Sequence, residues 1–524
     1  MAKQTITYTN PILPGFYPDP SIVRAEDAYY LINSSFEYFP GVPIFRSYDL
    51  LHWEQIGHVL DRISQLDVRD RLSSDGIFAP TIRYHAGTFY MITTDVRGIG
   101  NFYVTATDPA GPWSDPILVP HGGIDPSLFF DDDGKVYVTA QQGEGYNSHA
   151  IQYEIDIQTG KALSEPVVVW HGDGGPWTEG PHLYKVNGMY YMMSASGGTA
   201  KEHREIIGRS SHPYGPFEMF PEPILTHRDM DHPIQYLGHA DLVEDTDGQW
   251  WAVFLGVRLV ETGYSVLGRE TFLAPVQWRD GWPHIDNNEG VVSLKMQVEL
   301  PAGNRPTRSK PAACEGRETF AGTELKPEWM FLRNPAEGSW SLTDHPGSLT
   351  LYGQPGGLHD VAQVSFIGRR QQHVHAEYTT CMSFAPASEQ AEAGLVARRD
   401  EDAYYAIGVK RVDGGLAVYA RLRYRGKSQT EHLVPIEGED FTGNVWLRIE
   451  ADVAEYSLYY SLDGEKWKRL AGASARSLSP EDFVDKMCFT GTVMGLYASG
   501  NGKHCAEPAR FAWFETRLPE GQEG

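Results

Sequence analysis

A chain of 524 residues is longer than one hydrophobic core normally serves, so two or more domains are expected. Its 69 acidic against 44 basic residues give a formal net charge of −25, which argues against a nucleic-acid binder and disfavours anionic membranes and polyanionic substrates. Hydrophobic residues at 41% and charged residues at 22% are globular proportions, and no apolar run reaches the length of a membrane span.

The chain opens Met1-Ala-Lys-Gln-Thr, without the apolar core of a secretory signal, and a cytoplasmic protein is expected. One phrase then recurs five times: a short lead, an aliphatic pair, a turn and an aromatic strand. The first copies are Asp19-Pro-Ser-Ile-Val leading to Tyr29-Tyr-Leu-Ile, and Ala79-Pro-Thr-Ile-Arg leading to Phe89-Tyr-Met-Ile. Asp125-Pro-Ser-Leu-Phe leads to Val136-Tyr-Val, Glu179-Gly-Pro-His-Leu-Tyr to Tyr190-Tyr-Met-Met, and His239-Ala-Asp-Leu-Val to Trp250-Trp-Ala-Val. A period of roughly fifty to sixty residues reads as radial or stacked β-units. Closed around an axis, such units bring equivalent positions together at the centre. The lead position reads Asp19, Ala79, Asp125, Glu179 and His239, so three carboxylates and a histidine are expected at one end of a central channel.

Asp131-Asp-Asp-Gly134, Asn187-Gly188 and Asp247-Gly248 each precede an aromatic strand, where a hairpin turn belongs. No segment sustains a helical period, and the region to about residue 297 reads as all-β. The alternation stops at Pro301-Ala-Gly-Asn-Arg-Pro-Thr-Arg-Ser-Lys-Pro-Ala-Ala, a linker by composition. Longer alternating strands follow, with turns at Asp413-Gly414 and Asp463-Gly464, and a final strand around Arg510-Phe-Ala-Trp-Phe-Glu-Thr. The expected organisation is a five-unit domain over 1–300, a linker over 301–317 and a β-sandwich over 318–524. All four cysteines (Cys314, Cys381, Cys488, Cys505) lie in this last part without metal-ligand spacing; free thiols are the simplest account, and a disulfide there stays open.

Two carboxylates across a glycosidic bond suffice to hydrolyse it, one protonated to release the leaving oxygen and one ionised to activate water. A third carboxylate nearby keeps the first protonated. Asp19, Asp125 and Glu179 supply such a trio. Any one of them alone would read as a turn or strand cap, but caps have no reason to track an axis. His239 admits two readings, a hydrogen-bonded packing group or a group that binds a cation or steers an acid. Arg269 could contact sugar hydroxyls or hold a carboxylate, while sequence alone favours a surface or intersheet salt bridge. Aromatics reach 12% of the chain, chiefly as sheet packing, with stacking on the apolar face of a sugar as the sharper alternative. No Gly-x-Ser-x-Gly or His-Glu-x-x-His occurs, so serine-hydrolase and zincin chemistry lack support.

Four stretches carry a resemblance: Asn10-Pro-Ile-Leu-Pro-Gly-Phe-Tyr-Pro-Asp-Pro-Ser, Ser35-Phe-Glu-Tyr-Phe-Pro-Gly-Val-Pro-Ile, Gly123-Ile-Asp-Pro-Ser and Thr178-Glu-Gly-Pro-His-Leu-Tyr. Together they resemble glycoside hydrolase family 43, most closely its two-domain β-xylosidases and α-L-arabinofuranosidases, over nearly the whole chain. The resemblance implies a five-bladed β-propeller followed by a concanavalin-like β-sandwich, and an inverting mechanism. It implies Asp19 as general base, Glu179 as general acid and Asp125 as the carboxylate that tunes the acid. Phe36 and Phe78 would line the sugar pocket, Phe78 standing where a tryptophan is usual, and Arg269 would contact the bound sugar. His239 would lie near a calcium ion, held directly or through water, with no cofactor required. Tyr17, Tyr38, Val493 and Ala512 also depart from the usual pattern, Val493 replacing a phenylalanine in a sandwich loop expected to reach the active site. The implied function is exo-hydrolysis of terminal β-D-xylosyl units from small xylo-oligosaccharides, with α-L-arabinofuranosyl units as the alternative. A non-catalytic carbohydrate-binding propeller is the reading from another class, and the acid trio argues against it. Self-association into a homo-oligomer stays open.

Overall fold

Each aromatic phrase folds back on itself as an antiparallel hairpin, and two further strands complete a blade. The computed structural model describes residues 3–260, 263–285, 290–301, 315–426, 428–437, 443–483, 486 and 488–519. The first blade orders Ser21–Ala25, Ala28–Ile32, Gly41–Ser47 and Glu54–Leu60 from the axis outward. The second sets Gly76–Ile77 and Thr81–His85 against Thr88–Val96, followed by Gly100–Ala106 and Ile117–Leu118. The inner strands of the remaining blades are Ile124–Phe130, Glu179–Val186 and Ile234–Glu244, each heading a four-stranded sheet. Five sheets thus surround one axis. The strand Lys3–Thr9 pairs with Lys295–Pro301 and ties the two ends of the propeller together.

Local chemistry agrees with these hairpins. Asn187-Gly188 (φ 51 and 80) and Asp413-Gly414 (φ 49 and 79) take the left-handed pair that two-residue hairpins require. Alternation then buries one face of each strand: Leu31, Val104, Val138, Met192 and Val253 are fully buried between blades. Among the described residues the only helices are three short 3-10 turns, and no helix is long and apolar enough to cross a membrane.

Beyond the propeller two large sheets face each other as a sandwich. One is built around Ala509–Arg517, Ala376–Ser383 and Val445–Ala451, the other around Glu392–Arg398, Val493–Ser499 and Ser365–Arg370. Leu395, Leu447, Ile449, Leu496 and Phe511 fill the space between them. Of the expected linker, residues 302–314 lie outside the described residues, while Pro301 and Arg317 each belong to a strand. Cys381, Cys488 and Cys505 are free thiols; Cys314 lies outside the described residues.

The two domains share a sheet. Tyr38–Phe39 of the propeller pairs with Met330–Leu332 as the edge strand of the second sandwich sheet, Phe39 opposite Phe331 and Tyr38 opposite Leu332. A single apolar cluster joins Phe16, Phe36 and Tyr38 to Met330, Phe366, Val493 and Tyr497. Burying each large apolar side chain is worth about 1.5–3 kcal/mol, so this joint contributes several such terms. A chain ending at Leu300 is expected to be insoluble or inactive, as read by yield of soluble protein and turnover. A soluble, fully active truncation would show that the shared sheet is dispensable.

Candidate active site

At three of the lead residues the backbone breaks its ladder, which turns their side chains into the channel. Register slips between Ile124 and Ser127, between Glu179 and His182, and between Gly238 and Asp241. Such irregularities re-aim side chains at the rims of closed β-structures. Asp19, Asp125 and His239 share one left-handed conformation, with φ of 52, 52 and 53. For non-glycine residues this costs on the order of 1–3 kcal/mol each. In the fourth blade Gly180 takes the left-handed place (φ 58), and a Cβ there would lie 2.8 Å from His239 Nε2. Asp19, Ala79, Asp125, Glu179 and His239 all line one cavity of about 390 Å³, as the repeat predicts. Phe36, Phe78 and Arg269 line it too.

Three carboxylates in one cavity differ in their partners. Asp19 Oδ1 accepts from Arg269 Nη1 at 2.9 Å, and Oδ2 accepts from Ser34 Oγ at 2.6 Å and Arg269 Nη2 at 3.5 Å. A guanidinium pair of this kind suits an anionic carboxylate. Glu179 forms no ion pair among the described residues, although the charge of Arg269 draws its carboxyl down. Burial, and then the charge of Asp19, raise its carboxyl to about 7. Asp125 is held well above the usual carboxylate range by burial and then by Glu179 and Asp19, although it accepts the Gly180 amide at 3.1 Å. The cavity therefore sets a guanidinium-paired carboxylate at Asp19 against an Asp125–Glu179 pair whose carboxyls are held toward the protonated form, the division of labour that glycosidic hydrolysis requires.

The salt-bridge reading of Arg269 that sequence alone favours is half corrected. The bridge exists, but it is only 9% exposed and lies inside the cavity on Asp19, because the fifth blade places Arg269 beside the first. Its other contacts are Thr199 Oγ1 at 3.2 Å and the Phe489 carbonyl at 3.3 Å.

Phe489 belongs to the sandwich and completes an aromatic wall. Its ring centroid is 5.7 Å from Phe36 in a stacked pair and 5.6 Å from Phe78 edge-on, with Phe36 and Phe78 5.4 Å apart. The loop reaches so far because Gly491 passes the Leu267 carbonyl where a Cβ would sit 2.4 Å away. The expectation that Val493 stands where an active-site phenylalanine belongs is overturned. Val493 begins a strand and is fully buried, and the ring enters from Phe489, earlier on the same loop. Trp177 and Thr199 also line the cavity and were missed from sequence. Trp177 has a left-handed backbone (φ 56) and packs beside Gly198, outside the repeated phrase, so no periodic signal marks it.

Further along the inner strands the axis is closed by a second polar layer. Asp241 accepts from Ser21 Oγ at 2.6 Å, Tyr184 OH at 2.6 Å and Arg83 at 2.8 Å, and Arg83 Nη2 contacts His182 Nδ1 at 3.1 Å.

His239 sits between the acid side and the base side, its Nδ1 3.9 Å from Asp19 Oδ1. Burial lowers its pKa, leaving it neutral. Calcium takes six to eight oxygen ligands. No group of three or more His, Cys, Asp or Glu able to hold an ion occurs among the described residues, and Arg269 already occupies the Asp19 carboxylate. These residues do not fit a calcium ion bound directly by His239.

Residues 8–283 match the family described as glycosyl hydrolases family 43, and residues 317–517 match the β-xylosidase C-terminal concanavalin A-like domain. The chain is 41% identical to a non-reducing end α-L-arabinofuranosidase of Bacteroides ovatus, over 98% of this chain and 95% of that one. It is 39% identical to a xylosidase/arabinosidase of Butyrivibrio fibrisolvens, over 96% and 98%. The solved structure of the Bacteroides ovatus Xyloglucan PUL GH43B superposes with a TM-score of 0.91 at 41% identity, covering 98% of this chain and all of that one.

Proposed function

The chain belongs to glycosyl hydrolases family 43, and from that premise we propose that it is an exo-acting, inverting hydrolase that removes terminal β-D-xylosyl units from short xylo-oligosaccharides. The observation that carries the reading is a cavity with an aromatic wall, lined by an arginine-bound Asp19 and by Glu179, whose carboxyl burial raises to about 7. Asp19 acts as general base on water, and Glu179 donates its proton to the departing oxygen. Asp125 holds the Gly180 amide beside Glu179 and shares the acid's proton. Phe36, Phe78 and Phe489 give the apolar face of the sugar a surface, and Arg269 keeps Asp19 oriented while reaching the pocket floor. His239 lines the pocket beside Asp19, its Nδ1 3.9 Å from Oδ1.

A second reading, release of terminal α-L-arabinofuranosyl units, is favoured by the 41% identity to the Bacteroides ovatus enzyme of that name. Both sugars are neutral pentoses, in keeping with the acidic chain. Nitrophenyl β-D-xyloside and nitrophenyl α-L-arabinofuranoside assayed side by side decide between them by kcat/KM. Proton NMR of the first product from the xyloside is expected to show α-xylose, since inverting carboxylates stand roughly 6.5–9.5 Å apart and leave room for water. The β-anomer would rule out single displacement, and inertness toward both substrates would rule out the pentosidase reading. Cytoplasmic action on imported oligosaccharides accompanies this proposal, supported by the free thiols of Cys381, Cys488 and Cys505; fractionation of producing cells checks it.

A further inference from the structure

The pocket wall contributed by the sandwich has to be held against a different domain, and the contacts that hold it run through two adjacent serines. Ser73 donates its amide and hydroxyl to Glu401 of the sandwich, at 3.3 and 3.1 Å. Arg333 and Arg398, both fully buried, complete that carboxylate's surroundings. Ser74 instead donates its amide to Glu37 of the propeller at 3.0 Å, and its hydroxyl oxygen accepts the Phe489 amide at 3.0 Å. Glu37 directly follows Phe36, the second ring of the wall, and its carbonyl accepts the Arg333 amide at 3.0 Å. Ser74 adopts a left-handed backbone (φ 71) at 8% exposure, a conformation that a serine holds only when its surroundings enforce it.

From these contacts we propose that Ser74, seated on Glu37, is a positioning residue for the sugar pocket: its hydroxyl fixes Phe489 of the sandwich against Phe36 and Phe78. The proposal rests on the cavity being a sugar pocket. Phe489 is then held on both sides of its peptide, by Ser74 at the amide and by Arg269 at the carbonyl. Arg269 keeps Thr199 and both oxygens of Asp19 when the Ser74 tether is lost, so the base remains in place and only the wall loosens. A wall touches substrate and transition state alike, so its loosening raises KM and spares kcat. Glu37 is fully buried, and burial followed by the charge of Glu401 raises its carboxyl to about 7, against the opposing pull of Arg398. A glutamine can take its place as acceptor of the Ser74 amide.

Ser74→Gly suits the left-handed backbone and removes the small hydroxymethyl group, so the fold is retained. In the full chain it is expected to raise KM for the better nitrophenyl pentoside about fivefold, the worth of one hydrogen bond, with kcat within about twofold. Phe489→Ala should raise KM further, and Ser74→Gly should add nothing on that background. Glu37→Gln should restore most of what Glu37→Ala loses. Hydrogen exchange at the Phe489 amide, independent of any activity, should quicken in Ser74→Gly while the propeller strands keep their protection. Multiplying effects of Ser74→Gly and Phe489→Ala would overturn the proposal, as would unchanged exchange at Phe489 or a loss confined to kcat. A wild type inert on both pentosides would overturn the sugar-pocket reading instead, and the exchange experiment would still decide the tether.

Discussion

Glu179→Ala is expected to lose about 10²–10⁴-fold in kcat on xylobiose and far less on a nitrophenyl glycoside. A sugar alkoxide is a poor leaving group and departs only with a proton, whereas nitrophenolate departs unaided. The size of the loss should therefore follow the basicity of the leaving group. The wild-type pH profile carries the same information. Glu179 must be protonated to act, and its carboxyl is raised to about 7, so activity should hold below that value and fall as pH climbs through it. Asp125→Asn keeps an acceptor for the Gly180 amide, and because burial and the charge of Asp19 raise Glu179, this alkaline limb should stay near its wild-type position. An equal loss on both substrates in Glu179→Ala would remove Glu179 from the acid role.

Asp19→Asn should suffer alike on both substrates, because water needs a base whatever the leaving group. The expected loss is again about 10²–10⁴-fold. The asparagine can still accept from Ser34, and it tolerates the left-handed backbone better than most side chains. What it cannot do is neutralise Arg269, whose guanidinium lies 2.9 Å away and only 9% exposed. Breaking a buried pair from one side commonly costs about 3–5 kcal/mol, so a lowered unfolding temperature should accompany the lost activity. Recovery of Asp19→Asn on the nitrophenyl substrate, with none in Glu179→Ala, would exchange the acid and base labels.

How far the sequence carried these assignments depended on whether a residue belonged to the repeat. The lead positions Asp19, Asp125, Glu179 and His239 were readable because five phrases in register converge on an axis, and they do line one cavity. Arg269 sits outside the phrase, so sequence alone favours a surface or intersheet bridge, and only the fifth blade brings it onto Asp19. Thr199 and Trp177 lie in irregular stretches between strands, where no period selects them. Phe489 was hardest. It comes from another domain, 220 residues away from the arginine it contacts, and a loop's register cannot be fixed from spacing, which is how Val493 drew attention instead. The turns at Asn187-Gly188 and Asp413-Gly414 were plain because their backbone demand is written in residue type. The same demand at Asp19, Asp125 and His239 was invisible, since aspartate and histidine do not announce a positive φ.

That shared backbone conformation sets stability and activity against each other at the same positions. Asp19, Asp125 and His239 each occupy a geometry that glycine would adopt without penalty. A library screened for heat resistance alone would tend to enrich glycine or asparagine at Asp125 and His239, where the Arg269 pair is left whole, and the survivors would be robust and inert. Directed evolution of this scaffold therefore has to couple every round of thermal selection to turnover, or hold these three codons fixed.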